Sequence, residues 1–507
     1  VVVLYGHAAL SADIDLRLIT VVQGFRVHGA VVGEGMGNAL SRAGDYNGDG
    51  LDDVLIASSK AEGTPGLYYS GTVHILFGFN SNTSAARDLD IDLLNFVSSP
   101  EFGFVVRGDT ASIYLGTAVA GVGDFNGDGR QDVAFSAPFA SPNSRNNAGA
   151  VIVLYGSDVA ENVSVSSLMG DASRGLLIFG ASPSDYAGKV LISAGDVNGD
   201  GHPDILLSRN NNDFGAVVIL YGRSRAVPFT SPIDLSTFEP GELGLQITST
   251  SAYDLFGQSA CAVGDLNQDG VGDVAVGASQ ASIDGELLSG AMFVVYGQFI
   301  YPAVEMPTVK PTSIPTLTPT YVLTSAPTYT PTVSPTSVPT AAPTSIYDID
   351  LLSLTTAQGF AIQGSVVGSC FGLNMANIGD TNGDGFADFA IGAGCLTVNG
   401  LTYAGELYIF YGHSTSATDY TTIDIRDFEP GNSTGYIISG SAASTYVGYS
   451  TVPLGDLNSD GFDDYAFTTN LYAAPTYGEY FVMFGSAQPL AAKVSLSAIT
   501  TSSKTGF

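Results

Sequence analysis

Six stretches of this chain share one spacing of oxygen-bearing side chains, Asp-x-Asn-x-Asp-Gly-x-x-Asp, each followed by a short apolar run. In the first, Asp45, Asn47, Asp49 and Asp53 stand at positions 1, 3, 5 and 9, and the carbonyl of Leu51 at position 7 completes the donor set. The second places Asp124, Asn126, Asp128, Arg130 and Asp132 in the same order, and the third Asp196, Asn198, Asp200, His202 and Asp204. The fourth has Asp265, Asn267, Asp269, Val271 and Asp273, and the fifth Asp380, Asn382, Asp384, Phe386 and Asp388. The sixth has Asp456, Asn458, Asp460, Phe462 and Asp464. Only the carbonyl is used at position 7, so that residue type is free to vary. Calcium takes hard oxygens from a bent loop with glycine at its sharpest turn, and Gly50 and its counterparts fill that place. One such loop would be an ordinary Asx-rich turn; six in one register make about six calcium ions the expected cofactor. No loop has the bidentate Glu of an EF-hand at position 12, where Ile56 and Phe135 stand in the first two copies. The loops therefore read as structural sites rather than sensors.

The charge balance agrees. Against 17 Lys+Arg the chain carries 49 Asp+Glu, a net charge of −32, and each loop uses three aspartates. Six divalent ions would bring the net charge from −32 to −20, so much of the acidity is metal-site charge. Such a surface repels phosphate, which argues against a nucleic-acid partner. No apolar run is long enough to span a bilayer, so no membrane insertion is expected of this chain. The Val1–Gly6 start lacks the basic flank of a signal peptide, and an opening without methionine reads as a processed or partial product. Of three cysteines, Cys370 and Cys395 flank one calcium loop. Two outcomes stay open: a disulfide between them with Cys261 as a lone thiol, or free core cysteines throughout. Asn82, Asn162 and Asn432 begin N-glycosylation sequons, as in a secreted glycoprotein.

The loops must be held by elements that repeat with them. They start 79, 72, 69, 115 and 76 residues apart, and the long interval shrinks to the common period once a proline-rich insert is removed. Each loop lies between an apolar segment such as Phe256–Val263 and a continuous apolar run such as Val274–Gly277, as expected of a strand buried on both faces. A third strand ends in an aromatic and glycine (Gly71–Gly78, Gly149–Gly156, Gly215–Gly222, Gly290–Gly297, Gly405–Gly412). A fourth reads Gly-x-x-Ile-x-Gly, as at Gly175–Gly180 and Gly359–Gly364. Gly totals 62 and helical periodicity is nearly absent, so the fold class is all-β. Four-stranded units repeated at this period predict propeller blades. The chain opens on a third strand and ends at Gly506-Phe507, the start of a fourth. Six loops plus that half-blade predict seven blades, one of them incomplete in this sequence.

Tyr-Leu-Gly at 114–116, Leu-Phe-Gly at 255–257 and Cys-Phe-Gly at 370–372 resemble the Phe-Gly half of FG-GAP repeats. Ser-Ala-Pro at 136–138 and Gly-Ala-Ser at 277–279 resemble the Gly-Ala-Pro half, with the calcium loop between the halves. The resemblance covers nearly everything outside the insert and implies the propeller of integrin α subunits and related extracellular proteins. Departures are Gly-Met-Gly at 35–37, Tyr-Val-Gly at 446–448 with no following Gly-Ala-Pro, and Gln268 and Ser459 where other loops have glycine. Arg107-Gly108-Asp109 resembles the adhesive tripeptide that integrins recognise, but its repeat equivalents (His28-Gly29-Ala30, Phe179-Gly180-Ala181) make Gly108 a strand end.

The insert divides the chain into blades at 1–301, a Pro/Thr-rich extended linker at 302–345, and blades again at 346–507. Pro-Thr recurs on a four-residue beat, placing Thr308, Thr312, Thr316 and Thr320, then Thr328, Thr332, Thr336, Thr340 and Thr344, each after a proline. Proline at this density favours polyproline II, which at about 3.1 Å per residue would reach on the order of 130 Å. Three residues per turn against a period of four spreads the hydroxyls round the rod, the pattern of dense O-glycosylation. Three arrangements stay open: the rod joins two propellers, loops out of one, or carries a strand into a neighbouring copy.

Catalytic patterns are missing. His7, His28, His74, His202 and His413 are scattered, and there is no Gly-x-Ser-x-Gly or phosphate loop. The reading is no enzyme, but a secreted, calcium-stabilised structural glycoprotein whose propellers and rods assemble with copies of themselves into a filament or coat. The alternative is a cell-adhesion or receptor ectodomain binding an extracellular protein or glycan on the propeller face.

Overall fold

In a computed structural model the described residues are 1–5, 19–20, 23–79, 90–169, 171–210, 214–249, 254–282, 288–298, 348–350, 354–412, 423–469, 479–488 and 490–499. They form an all-β, seven-bladed propeller with seven sheets and no α-helix among the described residues. In blade three, Val119–Gly123, Asp132–Ala137, Ala150–Leu154 and Gly175–Phe179 run antiparallel in sequence order. Blades two, four, five and six repeat this with their own four strands. Blade one holds Val2–Leu4 and Gly24–His28, the third and fourth strand positions, and blade seven Thr451–Gly455, Asp464–Thr469 and Glu479–Met483, the first three.

The second and third strands are the apolar runs, and burial explains them. Every residue of Asp132–Ala137 and of Ala150–Leu154 is buried, because each blade is covered on both faces by its neighbours. Leu55 and Val73 of blade two pack in one cluster with Val133, Phe135 and Ile152 of blade three. The core is thus a series of apolar layers between blades, each removing aliphatic and aromatic surface from water.

Each described blade from one to six also carries an outer strand that the four-strand reading missed. Val163–Ser164, on the way to the fourth strand of blade three, pairs parallel with Gly103–Arg107 of blade two. Asp90–Asp92, Ile233–Asp234, Ile423–Asp424 and Lys493–Ser495 do the same on other blades. The signal lies in the sequence: Ile91-Asp92-Leu93, Ile233-Asp234-Leu235 and Ile423-Asp424-Ile425 recur, with Val163-Ser164-Val165 and Val494-Ser495-Leu496 as variants. The Asp caps a 3-10 turn: Asp92, Asp234 and Asp424 accept from the N–H two residues on.

Val1–Phe299 and Tyr347–Phe507 make one compact unit. Ala291–Val295 pairs with Gly359–Gln363, Met292 opposite Ile362, so strands from both sides of the insert build blade five. A new propeller starting at Tyr347 is therefore excluded. The chain leaves after the third strand of blade five and re-enters at Asp348–Asp350, which is the outer strand of blade four. The second unit, Ile300–Ile346, and with it Thr308 to Thr344 of the Pro-Thr beat, lies outside the described residues, as does Asn82.

Candidate metal centres and ligand faces

Each Asp-rich loop joins the first two strands of a blade. In the second loop the Asp124 carboxylate accepts from the N–H groups of Asp128 and Gly129, both at 2.8 Å. Asn126 Oδ1 accepts from Asp128 N at 2.9 Å, and Asp128 Oδ1 from Arg130 N at 3.1 Å. The same bonds recur in the first, third, fourth, fifth and sixth loops, for example Gly50 N to Asp45 Oδ2 and Gly461 N to Asp456 Oδ2. These Asx-type bonds wind the backbone around its own carboxylates. Gly129 has φ +90° with open space where a Cβ would stand, so glycine is there for the left-handed turn.

Position 9 differs in kind. Asp53, Asp132, Asp204, Asp273, Asp388 and Asp464 are completely buried. One oxygen of Asp132 accepts from Asn126 N at 3.1 Å inside the loop, and the other from Gly156 N at 2.8 Å at the end of the third strand. The partners elsewhere are Gly78, Gly222, Gly297, Gly412 and Gly485. This latch explains the aromatic-glycine ending of the third strand: a Cβ on Gly156 would lie 2.7 Å from the Gln131 carbonyl oxygen. Burial pushes these carboxyls up, to about 6 for Asp53 and Asp464, about 7 for Asp273 and Asp388, and about 8 for Asp132 and Asp204.

Whether these residues suit calcium is decided by their donors and charge. Each loop offers carboxylate and amide oxygens, with no nitrogen or sulfur ligand. None of the described ion pairs involves a carboxylate at position 1, 5 or 9. Each loop therefore carries three acids, one completely buried, with no ion-paired cation among the described residues, and a hard divalent ion suits such a set. Among the described residues no three His, Cys, Asp or Glu side chains converge as a preformed cage; in each loop an Asn and a carbonyl make up the set. The residues fit calcium.

Consecutive loops are tied together. Ser157 N donates to the Tyr46 carbonyl of the first loop at 3.1 Å, and Arg223, Gln298 and Ser486 donate likewise to Phe125, Val197 and Thr381. Gly272 N donates to the Asp196 carbonyl at 2.8 Å and Asp463 N to that of Asp380 at 3.0 Å. Position 7, read from the sequence as a free position, has a job for its side chain. A Cβ on Gly48 would stand 3.0 Å from Arg130 Nη1, one on Gly127 2.8 Å from His202 Cε1, and one on Gly383 2.4 Å from Phe462 Cε1. In these three pairs the position-7 side chain of one loop thus rests on the position-4 glycine of the loop before it.

The remaining sequence-selected residues fall in separate places. Cys370 and Cys395 form a disulfide with Cα atoms 5.4 Å apart, and Cys261 is free. Asn162 is exposed and its Oδ1 accepts from Val105 N at 3.1 Å and from the Ser98 hydroxyl. Asn432 is exposed in a turn closed by Thr434 Oγ1 donating to the Glu429 carbonyl at 2.7 Å. Asp109 of the Arg-Gly-Asp triplet accepts from Ser166 N at 2.7 Å, a bond to the 3-10 turn that follows the outer strand of blade two.

At the opposite ends of the strands lies an aromatic strip that the sequence reading missed. Tyr69 stacks on Tyr114 (ring centroids 5.4 Å apart, planes 3° apart), Tyr114 meets Phe139 at 5.0 Å, and Phe139 meets Tyr186 at 5.4 Å. Lys189 Nζ sits 4.6 Å from the Tyr186 ring centre. Tyr69, Tyr114 and Tyr186 have φ of +55°, +54° and +49°, a strained region for bulky residues. The repeat of Tyr-x-Gly at 69–71, 114–116 and 186–188 was the available signal.

The FG-GAP repeat family matches residues 36–76, 115–154, 180–220, 256–290 and 371–410. Integrin alpha-PS2 of Drosophila melanogaster is 27% identical over 192 residues, covering 37% of this chain and 12% of the integrin. Integrin alpha pat-2 of Caenorhabditis briggsae is 30% identical over 36% of this chain and 14% of its own length. The phosphatidylinositol-glycan-specific phospholipase D of Bos taurus is 33% identical over 34% of this chain and 18% of its own length. The matches thus span less than a fifth of each relative, and the relatives include both integrins and an enzyme. Among solved structures, the rhamnogalacturonan lyase YesW aligns with a TM-score of 0.25 at 14% identity, over 52% of this chain and 42% of that one. FG-GAP repeat matches thus fall in five consecutive blades, each enclosing an Asp-rich loop, and over this region the chain is similar to the propeller-bearing integrin alpha subunits.

Proposed function

We propose that the chain is an extracellular structural glycoprotein whose propeller is held by six calcium ions. The observation that carries this reading is the set of bonds that ties the first, second, third and fifth Asp-rich loops to the next blade. In each loop the residues at positions 1, 3, 5 and 9 and the carbonyl at position 7 would hold the ion. When bound, it supplies positive charge against three carboxylates. Position 9 keeps the loop fastened to the third strand, and position 7 keeps it against its neighbour. The disulfide fits an oxidising compartment. N-glycans at Asn82, Asn162 and Asn432 and O-glycans on the Pro-Thr beat would place the chain on a hydrated outer surface. In this reading there is no catalytic role, and the Pro-Thr segment, which leaves and re-enters one propeller, mediates contacts between self-associated copies in a filament or coat. The test is electron microscopy and sedimentation of the glycosylated chain in calcium. Concentration-dependent linear oligomers that shorten when residues 302–345 are deleted support the assembly; monodisperse particles at high concentration overturn it.

A second reading is favoured by the aromatic strip. Exposed Tyr69 and Phe139, with half-buried Tyr114 between them, give a face suited to an extracellular protein or glycan, as in an adhesion ectodomain. Loss of cell or matrix binding in Tyr114→Ala, with melting unchanged, would select it over the purely structural role.

A further inference from the structure

Of the ten described arginines, Arg26, Arg42, Arg145, Arg209 and Arg426 are ion-paired, with Asp90, Asp52, Asp234, Asp185 and Asp424. Three others converge instead on one cavity of about 480 Å³ on the calcium-loop side of blades two and three: Arg130, Arg174 and Arg225. Among the described residues none of the three forms an ion pair. The side-chain bond of Arg130 goes to the Asn47 carbonyl.

The other walls narrow the ligand. Tyr155, Ser157 and Ser173 bring an aromatic edge and two hydroxyls to the same space. Asp128, the position-5 residue of the second loop, also lines it, with Asp158 and Glu161. Calcium in that loop would take up the charge of Asp128, leaving three guanidinium groups against two carboxylates. Guanidinium forks bind planar or tetrahedral oxyanions with two parallel hydrogen bonds. The volume is that of a small-molecule cleft, on the order of 300–1,000 Å³, and not of a groove for an extended peptide. Asp158 and Glu161 disfavour a contiguous polyanion and can accept from sugar hydroxyls.

We infer that this cavity is a binding site for a sugar carrying a single anionic group, sulfate or carboxylate, held by Arg130, Arg174 and Arg225 beside the second calcium loop. The site is separate from the aromatic strip and independent of whether the chain assembles.

The test is calorimetric titration of the full chain in calcium with three disaccharides: a monosulfated galactose disaccharide, a digalacturonate, and neutral galactobiose. Saturable binding of at least one anionic probe is expected, the stronger of the two showing which oxyanion fits. Neutral galactobiose should bind at least about tenfold more weakly, and Arg174→Ala or Arg225→Ala should weaken the anionic probe by about tenfold, the size of one lost charge-assisted contact. Both arginines lie outside the buried core, and unchanged melting of the variants confirms their fold. The proposal is overturned if neither anionic probe binds, if the neutral probe binds equally well, or if the Arg174→Ala/Arg225→Ala double variant binds undiminished. Tighter binding of an Asp-rich peptide than of either sugar would assign the cavity to a protein partner and overturn it as well.

Discussion

The Arg130 guanidinium of the second Asp-rich loop donates to the Asn47 carbonyl of the first at 2.5 Å. Asn47 is itself a candidate ligand at position 3, so one loop's position-7 side chain holds the backbone of its neighbour's donor set. The first loop is thereby a joint between blades as well as a candidate metal site.

That joint predicts coupling. Arg130→Ala removes a hydrogen bond from a charged donor, worth about 1.5–3 kcal/mol, and leaves Gly48 uncovered. Calcium affinity of the first loop should fall even though none of its own residues has changed. Calcium titration of Arg130→Ala beside Asp49→Ala checks it: both should lower the affinity of one site, the second far more. An Arg130→Ala titration identical to the parent's would show that the loops bind independently.

Position 9 predicts a different pattern. Asp132→Ala strips acceptors from the N–H groups of Gly156 and Asn126, at a cost of roughly 1–3 kcal/mol for each donor left unsatisfied in the interior. Asp132→Asn keeps one acceptor and a near-identical shape while removing the charge. Thermal melting in chelator should therefore show the Ala variant well below the parent and the Asn variant between the two. Added calcium should raise the parent more than either variant.

Much of this was legible in the sequence, for physical reasons. A loop that must present oxygens at fixed positions tolerates few substitutions, so the six Asp-rich loops and the seven-blade count could be read directly. The outer strand of each blade was missed because two or three residues of parallel pairing leave no periodicity; only the Ile91-Asp92-Leu93 type of repeat marks it. The work of position 7 was missed because it is a relation between blades: nothing near Arg130 in sequence announces that Gly48 lies beneath it. The aromatic strip was hidden for the same reason, Tyr69 and Tyr114 being neighbours only across a seam.

The raised carboxyls set the direction of the pH dependence. Asp132 and Asp204 stand at about 8 in the folded chain, Asp273 and Asp388 at about 7, and Asp53 and Asp464 at about 6, because burial disfavours their charge; the ordinary value is 3.8. Between 3.8 and 8 the folded, metal-free chain binds more protons than the unfolded one, so its stability falls as pH rises. This contribution is complete below about 3.8 and lost as pH passes through about 6 to 8. Calcium needs the ionised form, so binding releases protons and tightens with pH. Urea unfolding in chelator should give lower stability at pH 8 than at pH 5, with the order reversed in saturating calcium. Calorimetry in buffers of different ionisation enthalpy should show proton release; its absence at pH 6 would mean that the position-9 acids are already charged in the metal-free fold.

The Cys370–Cys395 bridge joins the connection entering blade six to the hairpin after that blade's second strand, and so encloses the fifth calcium loop, Asp380–Asp388. A closed loop with a sequence separation of 25 restricts the unfolded chain by about 3–4 kcal/mol in the chain-entropy account. The segment it restrains carries its own candidate metal site, so reduction and calcium removal are expected to act on the same stretch. Reduction alone should lower the melting temperature modestly while calcium is bound. Reduction in chelator should make residues 370–395 the earliest exchanging part of blade six in amide hydrogen exchange. Equal exchange of this segment in oxidised and reduced chelated protein would show that packing against blade five, through Phe371 and Leu396 in the shared core, holds it without the bridge.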